Sequence, residues 1–213
     1  MASQILQINP IAPELDKLSQ AADLLRRGGV VATPTDTVYG LVADPANQLA
    51  VERIYHIKGR DYHLPLILLI SDMTMLAPLY RELPNLARVA VAHFWPGALT
   101  IILEKSPAVP DFVVSGGSSV GVRLPAHPVL TGLVAAAGFP LASTSANPSG
   151  QPPATSAAQV AALGDAVDLI LDAGPAPLGV ASSVLDCTTV PPRLLREGSI
   201  TRAELARLLG QID

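Results

Sequence analysis

Two basic residues, Lys58 and Arg60, stand two positions apart at the start of the most distinctive stretch of this sequence. In an extended backbone, side chains at positions i and i+2 point to the same side, so both cations would face one spot. The apolar run at 66–70 (LILLI) follows directly, is too short to cross a membrane, and predicts a strand buried on both faces. Fixed positive charge at the edge of a core predicts a site for anions.

A further cation, Arg123, lies inside the apolar segment 120–124 (VGVRL). A guanidinium group in a buried strand is costly unless it is paired, so Arg123 must have an anionic partner. Two kinds of partner stay open at this point: a structural carboxylate of the protein, or the carboxylate or phosphate of a substrate.

Three segments rich in hydroxyl, glycine and turn residues are candidates for contact with a ligand. Segment 34–40 (PTDTVYG) comes directly after a predicted strand and could be either an ordinary turn or a ligand-facing loop. Segment 143–150 (STSANPSG) follows another predicted strand and, taken alone, predicts a turn. Segment 115–119 (SGGSS) could hold a phosphate on its backbone amides. It lacks the lysine of a P-loop and no helical pattern follows it, so a plain flexible loop is the favoured interpretation.

Helical and strand patterns alternate along the chain and would bring these segments to one sheet. Helices are predicted at 14–27, 49–57, 84–94, 129–137 and 156–163, and a Thr201–Glu204 capping box begins a last helix through Leu209. Strands are predicted at 30–33, 66–70, 98–103, 120–124, 139–142, 168–172 and 184–187. This order predicts an α/β fold with a mixed sheet, in a single domain over residues 1–213.

Composition restricts the classes of protein that fit. With 49% apolar and 15% charged residues the chain should have a large core. A formal charge of −4 argues against a protein that coats nucleic acid, although residues 53–63 are locally basic. Cys187 is alone, which excludes a disulfide or a cysteine zinc site within one chain and favours a buried apolar role. With no signal sequence and no long apolar run, we expect a soluble cytoplasmic protein without a membrane anchor.

Several of these segments together match one known family. The sequence resembles the YrdC/TsaC-like threonylcarbamoyl-AMP synthases, and the resemblance runs over nearly the whole chain. The matching motifs are PTDTVYG (34–40), KGR (58–60) with Pro65-Leu66, WPG (95–97), Val122-Arg123, SAN (145–147) and the segment 182–196. The resemblance implies a YrdC-like fold, in which a twisted mixed sheet with flanking helices surrounds a deep, positively charged cavity. Because the chain ends soon after the last helix, we expect the short branch of the family, without a further C-terminal domain.

The resemblance also implies a reaction. L-Threonine, bicarbonate and ATP give threonylcarbamoyl-AMP and pyrophosphate, with Mg²⁺ accompanying ATP. The product serves the threonylcarbamoyladenosine modification of tRNA next to the anticodon, so threonylcarbamoyl-transferase proteins are expected partners. Whether tRNA itself binds this chain stays open, and a monomer or a weak dimer is expected.

Site residues follow from the matched motifs. The resemblance implies catalytic roles for Lys58 and Arg60 and no metal-ligating residue. L-Threonine would contact Thr37, Arg123, Ser145 and Ser182, and ATP would contact Lys58, Arg60, Ser119, Ser145, Asn147, Thr155 and Arg196. A carbamate and a phosphate are both anionic, so cations and fixed donors must hold them together. The carbamate oxygen is already a nucleophile, so we expect neither a covalent enzyme intermediate nor a side-chain base.

Three positions depart from the family pattern. Asp61, Leu64 and Leu69 stand where many relatives carry proline, asparagine and histidine. Leu64 and Leu69 cannot provide the polar contacts of those residues, so we leave both out of the site, and Asp61 could weaken the local positive field.

Other functions were weighed against this one. A noncatalytic module that binds double-stranded RNA or tRNA on the same fold is the main alternative, although the retained K-x-R and S-x-N pairs argue against it. The carbamoyl-transfer domain of hydrogenase maturation proteins is excluded because those chains carry cysteine-rich zinc modules. P-loop, Rossmann and Ser/His/Asp hydrolase fingerprints are missing from the sequence, and His127 beside Pro128 is expected to be a turn residue.

Overall fold

The computed structural model describes residues 3–164 and 166–213, which form a ten-stranded mixed sheet with helices on both faces. The strands are β1 (Gln4–Gln7), β2 (Val31–Thr33), β3 (Gly40–Ala43), β4 (Ile67–Leu69), β5 (Leu99–Glu104), β6 (Ser119–Arg123), β7 (Leu141–Ser145), β8 (Leu169–Asp172), β9 (Ser183–Asp186) and β10 (Arg193–Arg196). The helices are α1 (Leu15–Arg26), α2 (Gln48–Lys58), α3 (Asn85–Phe94), α4 (Pro128–Ala137), α5 (Ala157–Ala161) and α6 (Arg202–Leu209), with short 3-10 turns at Met73–Met75 and Ala77–Leu79.

The sheet runs in the order β1-β8-β2-β3-β7-β4-β6-β5-β9-β10. Four neighbouring pairs are parallel, namely β1/β8, β2/β8, β4/β6 and β5/β9, and the other five are antiparallel. This arrangement confirms the predicted α/β class with a mixed sheet. Among the described residues, no helix has the length and apolarity needed to span a bilayer.

All the predicted helices and strands are present, with ends shifted by a few residues. The capping box is confirmed, because the Thr201 hydroxyl accepts from the Glu204 amide and the Glu204 carboxylate accepts from the Thr201 amide at 2.8 Å. The strands β1, β3 and β10 were not predicted, since none of them carries a clear alternation of apolar and polar positions. Cys187 is buried, as expected.

Strand β7 corrects the interpretation of the segment that begins at Ser143. Residues 143–145 were expected to open a turn, but they continue the strand because they pair with β3 on one side, and Ser143 also pairs with β4 on the other. Pairing along both edges therefore outweighs the turn preference of serine.

The two faces of the sheet differ in what covers them. One face packs against α2, α3, α5 and α6 in a large apolar core that includes Leu68, Ile101 and Val122. The other face packs against α1 and α4 through side chains such as Val42 and Leu69. Those two helices leave part of that face open.

Candidate functional site

A cavity of about 260 Å³ lies on the open part of the sheet. Its floor comes from alternate residues of the central strands, among them Gly121, Ile102 and Ser143, while their sequence neighbours Val122, Ile101 and Ala142 face the opposite core. A Cβ on Gly121 would lie 2.9 Å from Ile67 Cγ2, so the missing side chain keeps the floor open.

Three arginines from separate segments line this cavity: Arg60 after α2, Arg123 at the end of β6, and Arg196 at the end of β10. Among the described residues, neither Arg60 nor Arg196 forms a salt bridge. Burial lowers the pKa of both, and the Arg60 charge adds to the lowering at Arg196. Arginine stays protonated under such conditions, so the cavity gathers positive charge that an anionic ligand can neutralise.

In the structure Arg123 is paired with a carboxylate of the protein, which is one of the two kinds of partner expected for it. Its Nη2 donates to the Asp36 carboxylate, its Nη1 donates to Thr37 Oγ1 at 2.9 Å, and its Nε donates to the Gly97 carbonyl at 2.9 Å. Burial lowers the pKa of Arg123, and the negative charge of Asp36 opposes that shift. Each terminal nitrogen of a guanidinium carries two hydrogens, so one on Nη1 and one on Nη2 remain for a ligand.

Arg60 and Arg196 are held mainly by neutral oxygens. Arg60 donates from Nη1 to Thr144 Oγ1 at 3.1 Å and from Nη2 to the Pro65 carbonyl at 3.1 Å. Arg196 donates from Nε to the Ser182 carbonyl at 2.9 Å and from Nη2 to Ser182 Oγ at 3.2 Å. These bonds fix the direction of both side chains without neutralising their charge.

The segment 34–40 is a folded loop closed by its own hydroxyl groups. Thr35 Oγ1 donates to the Val38 carbonyl at 2.7 Å and accepts from the Thr37 and Val38 amides at 3.0 and 3.2 Å. The Thr35 and Thr37 hydroxyls lie 2.8 Å apart, and both residues line the cavity. The ligand-facing interpretation of this segment therefore fits better than the ordinary turn.

The structure brings six of the ten predicted site residues to the cavity, and these are Thr37, Arg60, Arg123, Ser145, Ser182 and Arg196. Sequence reasoning missed Thr35, Thr100 and Thr144, which hold other lining residues by hydrogen bonds. Thr35 repeats at i, i+2 with Thr37, which was a usable signal. Thr100 and Thr144 lie inside strands and gave none.

The other four predicted residues do not line the cavity, and these are Lys58, Ser119, Asn147 and Thr155. Thr155 donates from Oγ1 to Gln159 Oε1 at 3.1 Å, and Ser119 begins β6 opposite Glu104. Lys58 and Asn147 bond to each other at 3.0 Å. Their ligand contacts stay predictions.

The Lys58–Arg60 segment is not extended, which corrects the geometry assumed from spacing. Lys58 is the last residue of α2, and Gly59 takes the left-handed conformation at φ 55° that ends helices. This turn still aims both cations at strand β7 and the loop after it, because Arg60 reaches Thr144 and Lys58 reaches Ser145. The two cations converge by a helix end rather than by strand alternation.

Two backbone amides of the loop 115–119 bond to carbonyls of the segment that precedes it. The Gly116 amide donates to the Asp111 carbonyl at 2.8 Å and the Gly117 amide donates to the Val114 carbonyl at 2.9 Å. Two of the amides that a phosphate cradle would use are therefore already taken.

The three departures lie close to the cavity. Leu69 lines it, and Leu64 is 47% exposed and contributes its carbonyl, which accepts from Arg60 Nε at 3.3 Å. The Asp61 carboxylate accepts from the His63 amide at 2.9 Å. Within the described part of the chain, Asp61 makes no salt bridge with a cavity arginine.

Comparisons with known proteins agree with one another. The Sua5/YciO/YrdC family model, described as "Telomere recombination", matches residues 23–198. The threonylcarbamoyl-AMP synthase of Bacillus subtilis (strain 168) is 43% identical over 198 residues, which cover 92% of this chain and 57% of that protein. The threonylcarbamoyl-AMP synthase of Pyrococcus abyssi is 41% identical, with 92% and 58% covered. This chain thus spans less than two thirds of the length of both relatives.

Solved structures show the same fold. The crystal structure of P. abyssi Sua5 complexed with L-threonine matches with a TM-score of 0.94 at 39% identity, over 99% of this chain and 63% of that one. The crystal structure of Escherichia coli YciO matches with a TM-score of 0.85 at 30% identity, over 92% and 96%.

Proposed function

Because the chain belongs to the Sua5/YciO/YrdC family, we propose that it is an L-threonylcarbamoyladenylate synthase, a nucleotidyltransferase. It would form threonylcarbamoyl-AMP and pyrophosphate from L-threonine, bicarbonate and ATP, as a step in tRNA modification. The observation that carries this proposal is the convergence of Arg60, Arg123 and Arg196 on one cavity, where the described residues leave two of the three without a carboxylate partner.

We propose separate places in the cavity for the carboxylate of threonine and the phosphates of ATP. Arg123 and Thr37 lie side by side, so the spare hydrogens of Arg123 would bind the carboxylate of threonine. Arg60 and Arg196 would bind the phosphates of ATP. The amine of threonine combines with bicarbonate to give a carbamate and water. The carbamate oxygen then forms a bond to the α-phosphorus while the bond from that phosphorus to pyrophosphate breaks.

Catalysis in this proposal rests on position and charge. Two anions repel each other in water, and the buried arginines would hold them together and stabilise the charge that builds up on the α-phosphate. No nucleophilic side chain is needed for that step. The roles of Lys58, Ser119, Asn147 and Thr155 as direct contacts remain predictions from the resemblance.

The residues of the cavity do not fit a protein-held magnesium ion. Among the described residues, no group of three potential ligands is placed to hold a metal. Asp36, the carboxylate at the arginine cluster, is bound to Arg123. We therefore propose that Mg²⁺ is carried by the phosphates of ATP, which is a common way for this ion to enter an enzyme.

The remaining proposals concern partners and place. A threonylcarbamoyl-transferase would take over the adenylate, and we propose a cytoplasmic protein that acts as a monomer or a weak dimer. Direct binding of tRNA is not favoured by the described surface, because the arginines lie inside a cavity and the net charge of the chain is −4.

The direct test is product formation. Purified protein is incubated with ATP, Mg²⁺, bicarbonate and threonine, and the mixed anhydride is sought by mass spectrometry, with serine as the control amino acid. We expect threonylcarbamoyl-AMP with threonine and far less product with serine. Absence of both the adenylate and pyrophosphate release would contradict the proposed activity.

A further inference from the structure

Lys58 is a buried cation whose hydrogen bonds are all made within the protein. Its Nζ donates to the Ser145 carbonyl at 2.5 Å, to the Asn147 carbonyl at 2.7 Å and to Asn147 Oδ1 at 3.0 Å, and makes a longer contact with Ser145 Oγ at 3.4 Å. The residue is 3% exposed. An ammonium group has three hydrogens, so the three shorter contacts use all of them.

Asn147 is equally occupied. Its Nδ2 donates to the Pro148 carbonyl at 2.9 Å and to the Gln151 carbonyl at 2.7 Å, while Oδ1 accepts from Lys58. Both amide hydrogens are therefore used inside the loop, which leaves none to donate to a ligand.

A backbone bond completes the contact between the helix end and the loop. The Ser149 amide donates to the Lys58 carbonyl at 2.7 Å. The C-terminal residue of α2 thus holds residues 145–149 through both its side chain and its main chain. In contrast, Arg60 and Ser145, the other members of the two motifs, line the cavity.

We propose that Lys58 and Asn147 form a lock that positions the two cavity residues Arg60 and Ser145, and that neither Lys58 nor Asn147 contacts substrate. In the K-x-R motif Lys58 holds the loop and Arg60 faces the ligand. In the S-x-N motif Asn147 holds the loop and Ser145 faces the ligand. The catalytic part of this inference rests on the proposed synthase function, while the lock itself does not. It replaces the catalytic role expected for Lys58, and the ATP contacts expected for Lys58 and Asn147, by a positioning role for both residues.

The charge state of Lys58 supports this role. Burial, followed by the charge of Arg60, lowers the pKa of Lys58 to about 8. The segment 145–151 that packs against it (SANPSGQ) contains no ionisable side chain. A neutral amine has two hydrogens for three acceptors, so the lock is complete when Lys58 is protonated and loosens as the pH rises above about 8.

The test uses Lys58→Met, Asn147→Ala and the double variant. Lys17→Met is the matched control, because the Lys17 ammonium also donates to a backbone carbonyl, that of Gln7 at 2.8 Å, and lies outside the cavity. Hydrogen exchange is measured on residues 143–152 of the ligand-free protein. We expect exchange about tenfold faster or more in both single variants and unchanged in the control.

Kinetics provide the second reading. The effects of substituting two residues that act through one lock do not add. The double variant should therefore lose no more kcat/KM than the worse single variant, within about twofold. In the wild-type protein we also expect the KM for ATP to increase when the pH is raised above about 8, because Lys58 loses its proton. In Lys58→Met the KM for ATP should not change over that pH range.

Two outcomes would overturn the lock: unchanged exchange in the ligand-free single variants, or losses in kcat/KM that multiply in the double variant. If Lys58→Met does not fold, the hydrogen exchange of Asn147→Ala tests the lock without it, because this variant keeps the Lys58 ammonium in place. The exchange measurement does not require the reaction. A protein that makes no adenylate but shows the exchange pattern rejects the proposed function and keeps the lock.

Discussion

The two faces of strands β4, β5 and β6 show how one short segment can serve both stability and chemistry. Leu68 points into the apolar core beneath α2 and α3, while its neighbour Ile67 faces the cavity. Ile101 and Thr100 divide in the same way on β5. Because side chains alternate along a strand, the residues that stabilise the fold and those that meet a ligand are different residues, and mutation can separate the two roles.

The largest effect on stability should come from the face of the sheet that packs against α2, α3, α5 and α6. Leu68→Ala removes a fully buried side chain and leaves a void, which costs about 2–5 kcal/mol of the free energy of unfolding. For a chain of this size we expect Tm to fall by roughly 4–20 °C, measured by calorimetry. Ile67→Ala is the control from the open face and should cost less. Equal losses from the two variants would show that the faces do not differ as described.

Activity should depend on the residues that line the cavity on the other face. Arg60→Ala should lower pyrophosphate release by about 10²–10³, because it removes a fixed positive charge from the site where negative charge develops. Its unfolding temperature should stay close to that of the wild-type protein, since Arg60 bonds mainly to loop carbonyls and one hydroxyl. Arg81→Ala, at an exposed position, is the matched control. Wild-type turnover by Arg60→Ala would refute the assignment.

A smaller effect should come from His127, which directly precedes α4. It is 6% exposed, and among the described residues its Nδ1 has no hydrogen-bond partner. Burial lowers its pKa below 6.5, although Asp36 opposes the shift. The unfolded chain therefore binds a proton below pH 6.5 that the folded protein does not, so stability falls as the pH drops through this range.

The change should not exceed about 1.4 kcal/mol per pH unit, the value for one proton. Urea unfolding at about pH 5 and about pH 7.5 measures it, with His127→Leu as the comparison. The variant should depend less on pH than the wild-type protein. The same pH dependence in both proteins would assign the effect to other groups.

Much of the fold was predictable because its longer elements carry a clear pattern, such as the helical spacing of apolar residues in α1 and the apolar run of β5. The prediction ended strand β7 too early, because serine, asparagine, proline and glycine at 143–150 favour a turn locally and pairing with β3 and β4 keeps residues 143–145 in the strand. Arg60 and Arg123 could be found from their positions beside or inside apolar segments, whereas Arg196 was found only through the family resemblance. The partner of Arg123 could not, because Asp36 is 87 residues away in the chain and nothing local connects them.

Lys58 shows the limit of motif reading for the site. Its spacing from Arg60 indicated a second cation for the ligand, whereas its ammonium donates to the carbonyl at the end of β7 and to two oxygens of Asn147 in the loop that follows. Residue type and spacing locate a charged group, but the number of acceptors around it decides whether it is free for a ligand.

The most direct test of the central claim is a calorimetric titration of ATP with and without L-threonine. If Arg60, Arg123 and Arg196 gather both ligands in one cavity, threonine should tighten the binding of ATP, and Arg60→Ala should remove that effect. A protein that shows no affinity for ATP under either condition, but binds RNA in a salt-sensitive manner, would contradict the account.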